Sequence, residues 1–125
     1  MAKILIVDDQ VDVAAMIKQV LEEDGHHCTV ELAGADLLAR IAGTDYDLAI
    51  TDIVMPDIDG IAVIRYLVAK HPQTRILAIS GNTGNLPAPI GLLLSRAHGA
   101  GQILYKPFSP SELRNTVTRA LAETA

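Results

Sequence analysis

Five short apolar runs punctuate the chain: Ile4-Leu5-Ile6-Val7, Cys28 to Leu32, Leu48-Ala49-Ile50-Thr51, Ile76 to Ile79, and Ile103-Leu104-Tyr105. Most are continuous rather than alternating, which is the pattern of strands covered on both faces. Segments with helical spacing lie between them. Val13, Met16, Ile17, Val20 and Leu21 mark one face of a first helix, and Gly25 is its natural stop. Leu37, Leu38 and Ile41 mark a second. Ile61, Ile64, Leu67 and Val68 mark a third, which must end before Pro72. A fourth helix is expected from about Pro89 to about Gly99, with Leu92-Leu93-Leu94 apolar around more of its circumference than one buried face requires. The last helix opens at Ser109-Pro110-Ser111-Glu112, a capping box with proline at the first helical position, and its buried stripe is Leu113, Val117 and Leu121. The stretch from Gly81 to Pro89 is rich in turn formers and is expected to be a long loop.

This alternation predicts an α/β fold, a doubly wound, five-stranded parallel sheet with five helices. In such folds function collects at the carboxyl ends of the strands. Asp8, Asp9, Asp52, Ser80 and Lys106 all stand at or just after such ends.

Composition narrows the picture. The chain has 125 residues, the size of one domain, and is 50% hydrophobic, enough for a substantial core. Aromatics are only 3%, so that core must be aliphatic. A net charge of −5 argues against direct nucleic-acid binding. The single cysteine, Cys28, cannot form an internal disulfide and reads as a small packing residue. No apolar stretch approaches the roughly 20 residues of a membrane span, and the first apolar run is too short for a signal-peptide core. The expectation is a cytoplasmic protein with no membrane partner.

The residues at the strand ends carry a specific chemistry. Magnesium takes oxygen ligands and is usually held by one or two carboxylates, waters and a phosphate, a role open to Asp8, Asp9 and Asp52. A cation between clustered carboxylates relieves their repulsion. A carboxylate can also attack phosphorus to give an aspartyl phosphate. Lys106 can add positive charge beside the transferring group, and the Ser80 hydroxyl can bond one of its oxygens. Taken singly these residues are ordinary. An acid pair before a helix can be a cap, a serine can be a turn residue, and a lone lysine is most often a solvated charge. Asp57 and Asp59 read as turn formers. The four histidines, His26, His27, His71 and His98, read as solvated or locally bonded. Phe108 reads as packing.

Taken together, Val7-Asp8-Asp9, Thr51-Asp52, Met55-Pro56-Asp57-Ile58-Asp59-Gly60, Ser80-Gly81 and Lys106-Pro107-Phe108 resemble the receiver domain of two-component response regulators, in order and along the whole chain. The resemblance implies a flavodoxin-like sheet of order 2-1-3-4-5. It implies that Asp52 is the phosphoacceptor, and that Asp8, Asp9, Asp52 and the backbone carbonyl of Val54 bind Mg2+ (or Mn2+). Ser80 would follow the phosphoryl group and Lys106 would be its cationic partner. The expected partners are a histidine kinase or histidine phosphotransfer protein and an unidentified downstream protein. The expected organisation is a single receiver domain over 1–125 with no output domain, which promotes only its own phosphorylation and dephosphorylation. Output would come from altered protein binding or onward phosphotransfer, with a homodimer through the fourth helix and fifth strand as a further expectation.

One position departs from the family. Receivers often carry an aromatic residue three places before the lysine, where this chain has Ile103; Tyr105 lies immediately before the lysine instead. Readout is therefore expected to rely more on the Gly81–Pro89 loop and the helix after it. Two other functions use similar parts. A phosphorylation-independent scaffold would have no use for the full acidic set. A magnesium-dependent aspartyl phosphohydrolase would need a general acid two residues after its nucleophile, where Val54 stands and cannot transfer a proton. No glycine-rich turn follows the first strand, as a dinucleotide site would require.

Overall fold

The computed structural model describes residues 2–32, 36–53, 60–80 and 99–122. Five strands appear where the apolar runs lie: β1 (Lys3–Asp8), β2 (His27–Leu32), β3 (Leu48–Asp52), β4 (Arg75–Ser80) and β5 (Gln102–Tyr105). All pair in parallel, in the order β2-β1-β3-β4-β5. Four helices are found among the described residues: α1 (Val11–Glu23), α2 (Leu37–Ile41), α3 (Gly60–Lys70) and α4 (Pro110–Ala122). The helix expected at about 89–99 and the 81–89 loop lie outside them. No helix among the described residues is long and apolar enough to cross a membrane.

The apolar runs of β1, β3, β4 and β5 are continuous because each of these strands feeds two cores, whereas edge strand β2 sends Cys28 and Val30 into the first core alone. Successive side chains point to opposite faces. Ile4, Ile6, Leu48, Ile50, Leu77, Ile79 and Leu104 enter one core, closed by Ala14, Ile17 and Leu21 of α1 and Leu113, Val117 and Ala120 of α4. Leu5, Val7, Ala49, Ile76 and Ala78 enter the other, closed by Leu37 and Ile41 of α2 and Val63, Ile64 and Leu67 of α3. In α1 the buried stripe centres on Ala14, Ile17 and Leu21, with Val13 and Met16 packed at its margin. In α3, Val68 is exposed and Val63 is buried, a correction to the predicted stripe: the face is set by Gly60, Val63, Ile64 and Leu67, one step back from Val68.

The helix ends follow local chemistry. Ser109 and Glu112 close a reciprocal capping box: the Ser109 N–H donates to Glu112 Oε1 at 3.0 Å, and the Glu112 N–H donates to Ser109 Oγ at 3.1 Å. After α1, Gly25 turns the chain at φ +89°, a backbone conformation that L side chains rarely adopt. Gly60 meets a different constraint. A Cβ there would lie 2.3 Å from the carbonyl oxygen of Asp52 and 2.3 Å from Ile53 Cα, so α3 can start against the end of β3 only as glycine.

Gly60→Ala should therefore destabilise the fold by about 1–3 kcal/mol, the usual cost of overpacking. Urea unfolding should show a lower midpoint at unchanged m-value.

Candidate functional site

The register of the sheet builds the site. β1 and β3 pair up to Val7 opposite Thr51, so the next residues on each strand, Asp8 and Asp52, lie side by side. By alternation both continue the face of Ile4, Ile6, Leu48 and Ile50, the face packed on α1 and α4. Lys106 follows β5, held by its N–H to the Ser80 carbonyl at 2.8 Å, and continues the face of Leu104. β4 separates β5 from β3, so only a long side chain can reach from one to the other. Lysine does. Its Nζ donates to Asp52 Oδ2 at 2.7 Å and lies 3.2 Å from Asp8 Oδ2. The peptide joining Lys106 to Pro107 is cis.

Asp8, Asp9 and Asp52 can each bring a carboxylate oxygen within 4.8 Å of the others. Asp8 is fully buried, Asp52 is 4% exposed, and Asp9 stands at the surface. Asp8 Oδ1 accepts the Gln10 N–H at 3.0 Å. Asp8 Oδ2 is buried and makes no hydrogen bond, despite its closeness to the lysine. The Asp8 pKa is raised from 3.8 to about 6: burial pushes it up most, the Gln10 N–H pulls it down, the Asp52 charge pushes it up, and Lys106 lowers it. Burial alone would lower Lys106; its hydrogen bond to Asp52 and the charges of Asp52 and Asp8 more than reverse this, so its pKa is raised. Ser80 is fully buried at the end of β4, on the opposite parity, continuing Ile76 and Ala78 toward the second core.

The structure thus brings together Asp8, Asp52 and Lys106 by direct contact, with Asp9 at their edge. Val54 lies outside the described residues. Gln10 was not anticipated: its Oε1 accepts from Lys106 Nζ at 2.7 Å across a separation of 96 residues. A sequence-local sign existed, since glutamine is a poor choice at a helix N-cap, but it did not name a partner. Ile103 packs against the second core, while Tyr105 is 49% exposed on the edge strand. Phe108 packs on the first core, Cys28 is buried with its thiol raised by burial to about 11, and His71 Nδ1 lies 3.1 Å from Asp45 Oδ1. None of these three belongs to the cluster.

Residues 4–118 match the response regulator receiver domain, and the chain belongs to that family. It is similar to the response regulator receiver protein CpdR of Brucella abortus, at 31% identity over 97% of this chain and 98% of CpdR. It is equally similar, at 31% identity, to the DNA-binding transcriptional regulator NtrC of Rhizobium meliloti, of which it spans only 24%. The crystal structure of the receiver domain of NtrX from Brucella abortus superposes with a TM-score of 0.84 at 30% identity, covering 97% of this chain and 99% of that one.

The raised Asp8 pKa has a definite sign for stability. The folded protein holds a proton on Asp8 where the unfolded chain has released it, so this contribution is present below about pH 4 and is lost as pH rises through about 6. The loss is on the order of 2–3 kcal/mol. Urea midpoints of chelator-treated wild type should fall relative to Asp8→Asn between those pH values.

Proposed function

We propose that the chain is a phosphoacceptor of a two-component relay, with Asp52 as the nucleophile. A carboxylate oxygen of Asp52 attacks the phosphorus of a phosphohistidine on a kinase or phosphotransfer protein. The new P–O bond forms as the P–N bond breaks, and the imidazole leaves with the electron pair. The observation that carries this reading is the shared ammonium: Lys106 Nζ lies 2.7 Å from Asp52 Oδ2 and 3.2 Å from Asp8 Oδ2, at the rim where both strands end.

The donor set fits a hard divalent cation. Two of the three clustered carboxylates are buried, and Asp8 Oδ2 is a buried oxygen without a hydrogen bond. Asp8, Asp9 and Asp52 would hold Mg2+ (or Mn2+), with the Val54 carbonyl added by family resemblance. Bound there, the ion supplies positive charge to phosphoryl oxygens and offsets carboxylate repulsion. Lys106 neutralises part of the negative charge before transfer and turns its donors to the phosphoryl oxygens after it. Ser80 supplies a hydroxyl from the neighbouring strand.

The output is a change in binding to another protein, or onward transfer to a histidine. The β5 edge carries exposed Tyr105 and is the surface on which a partner or a second copy would dock, together with the segment 89–99.

Incubation with Mg2+ and a small-molecule phosphodonor should add one phosphoryl group by mass spectrometry. Asp52→Asn should take up none, and Lys106→Ala should be slowed by at least about tenfold, the loss of one charge-assisted contact. Unmodified folded wild type would sink the reading. Sedimentation with and without phosphorylation checks the second-copy output, which predicts a concentration-dependent rise in mass.

A further inference from the structure

Gln10 occupies the N-cap position of α1, where Ser, Thr, Asp and Asn are preferred because their side chains bond the first free N–H groups. Its side chain makes no such bond. It reaches instead to Lys106 Nζ, at 2.7 Å. Its main-chain N–H meanwhile donates to Asp8 Oδ1 at 3.0 Å. One residue therefore acts on both members of the charged contact, the acid through its backbone and the lysine through its side chain.

We propose that Gln10 is a positioning residue, whose side-chain oxygen aims the Lys106 ammonium at the place a phosphoryl group on Asp52 would occupy. The proposal deepens the phosphoacceptor reading and rests on it for its catalytic consequence. An ammonium has three donors. Here two of them are taken by Asp52 Oδ2 and Gln10 Oε1, each at 2.7 Å, while Asp8 Oδ2 lies 3.2 Å away as a charge contact without a hydrogen bond. With the carboxylates alone, a flexible four-carbon side chain can settle on either acid. The amide oxygen adds a second hydrogen-bonded anchor from outside the strand ends. It does so without a further negative charge, so it fixes the lysine and leaves the charge balance of the acid cluster as it is. When Asp52 becomes an acyl phosphate and Lys106 turns toward the phosphoryl oxygens, the Gln10 contact can persist.

The test joins a spectroscopic and a kinetic measurement. By NMR, the Lys106 ammonium of wild type should give a slowly exchanging resonance. That resonance should be lost in Gln10→Ala and retained in Gln10→Glu, which keeps the acceptor oxygen. In Mg2+ and a small phosphodonor, Gln10→Ala should be phosphorylated about tenfold more slowly, at unchanged Mg2+ affinity, the equivalent of one charged hydrogen bond. In a Lys106→Ala background the same change should have no further effect, since Gln10 acts through the lysine. An unchanged ammonium resonance in Gln10→Ala overturns the proposal whether or not Asp52 is phosphorylated. Additive effects in the double variant also overturn it, because they assign Gln10 a role independent of Lys106. Wild type that takes up no phosphoryl group, with the ammonium resonance still dependent on Gln10, refutes the phosphoacceptor reading and supports the positioning role alone.

Discussion

The constraint on which the structure turns is the pairing of β1 with β3. One register places Asp8 beside Asp52 and Ile4 and Ile6 beside Leu48 and Ile50 in the same core. A slip by one residue would turn every side chain to the other face and part the two acids. The apolar core therefore holds the carboxylates together against their mutual repulsion. It also removes them from water, which is why Asp8 binds its proton more tightly than a free carboxylate. Lys106 is the internal answer to that cost. It arrives from two strands away, and its contacts with the acids raise its pKa against the lowering effect of burial.

Much of this was legible in the chain. β1, β3 and β4 announced themselves because burial on both faces leaves them mostly apolar, and the capping box of α4 named its own two hydrogen bonds. The acids and the lysine were legible because each follows directly on such a strand. What escaped was whatever depends on distance in sequence or on rotation within a helix. Gln10 finds its partner 96 residues away, and nothing near it encodes that contact. Val68 was exchanged for Val63 because two neighbouring stripes of an apolar helix carry similar residues, and the close approach of Gly60 to Asp52 and Ile53 decides between them. Ile103 proved to be a packing residue of the second core, in keeping with an aliphatic side chain where many receivers place an aromatic one.

The parity of the strand-end residues divides the site between the two layers of the fold. Asp8, Asp52 and Lys106 extend the layer packed on α1 and α4, whereas Ser80 extends the layer packed on α2 and α3. A group bound between Lys106 and Ser80 would therefore touch residues of both layers. Such a group would join the two helical layers across the strand ends of the sheet that separates them.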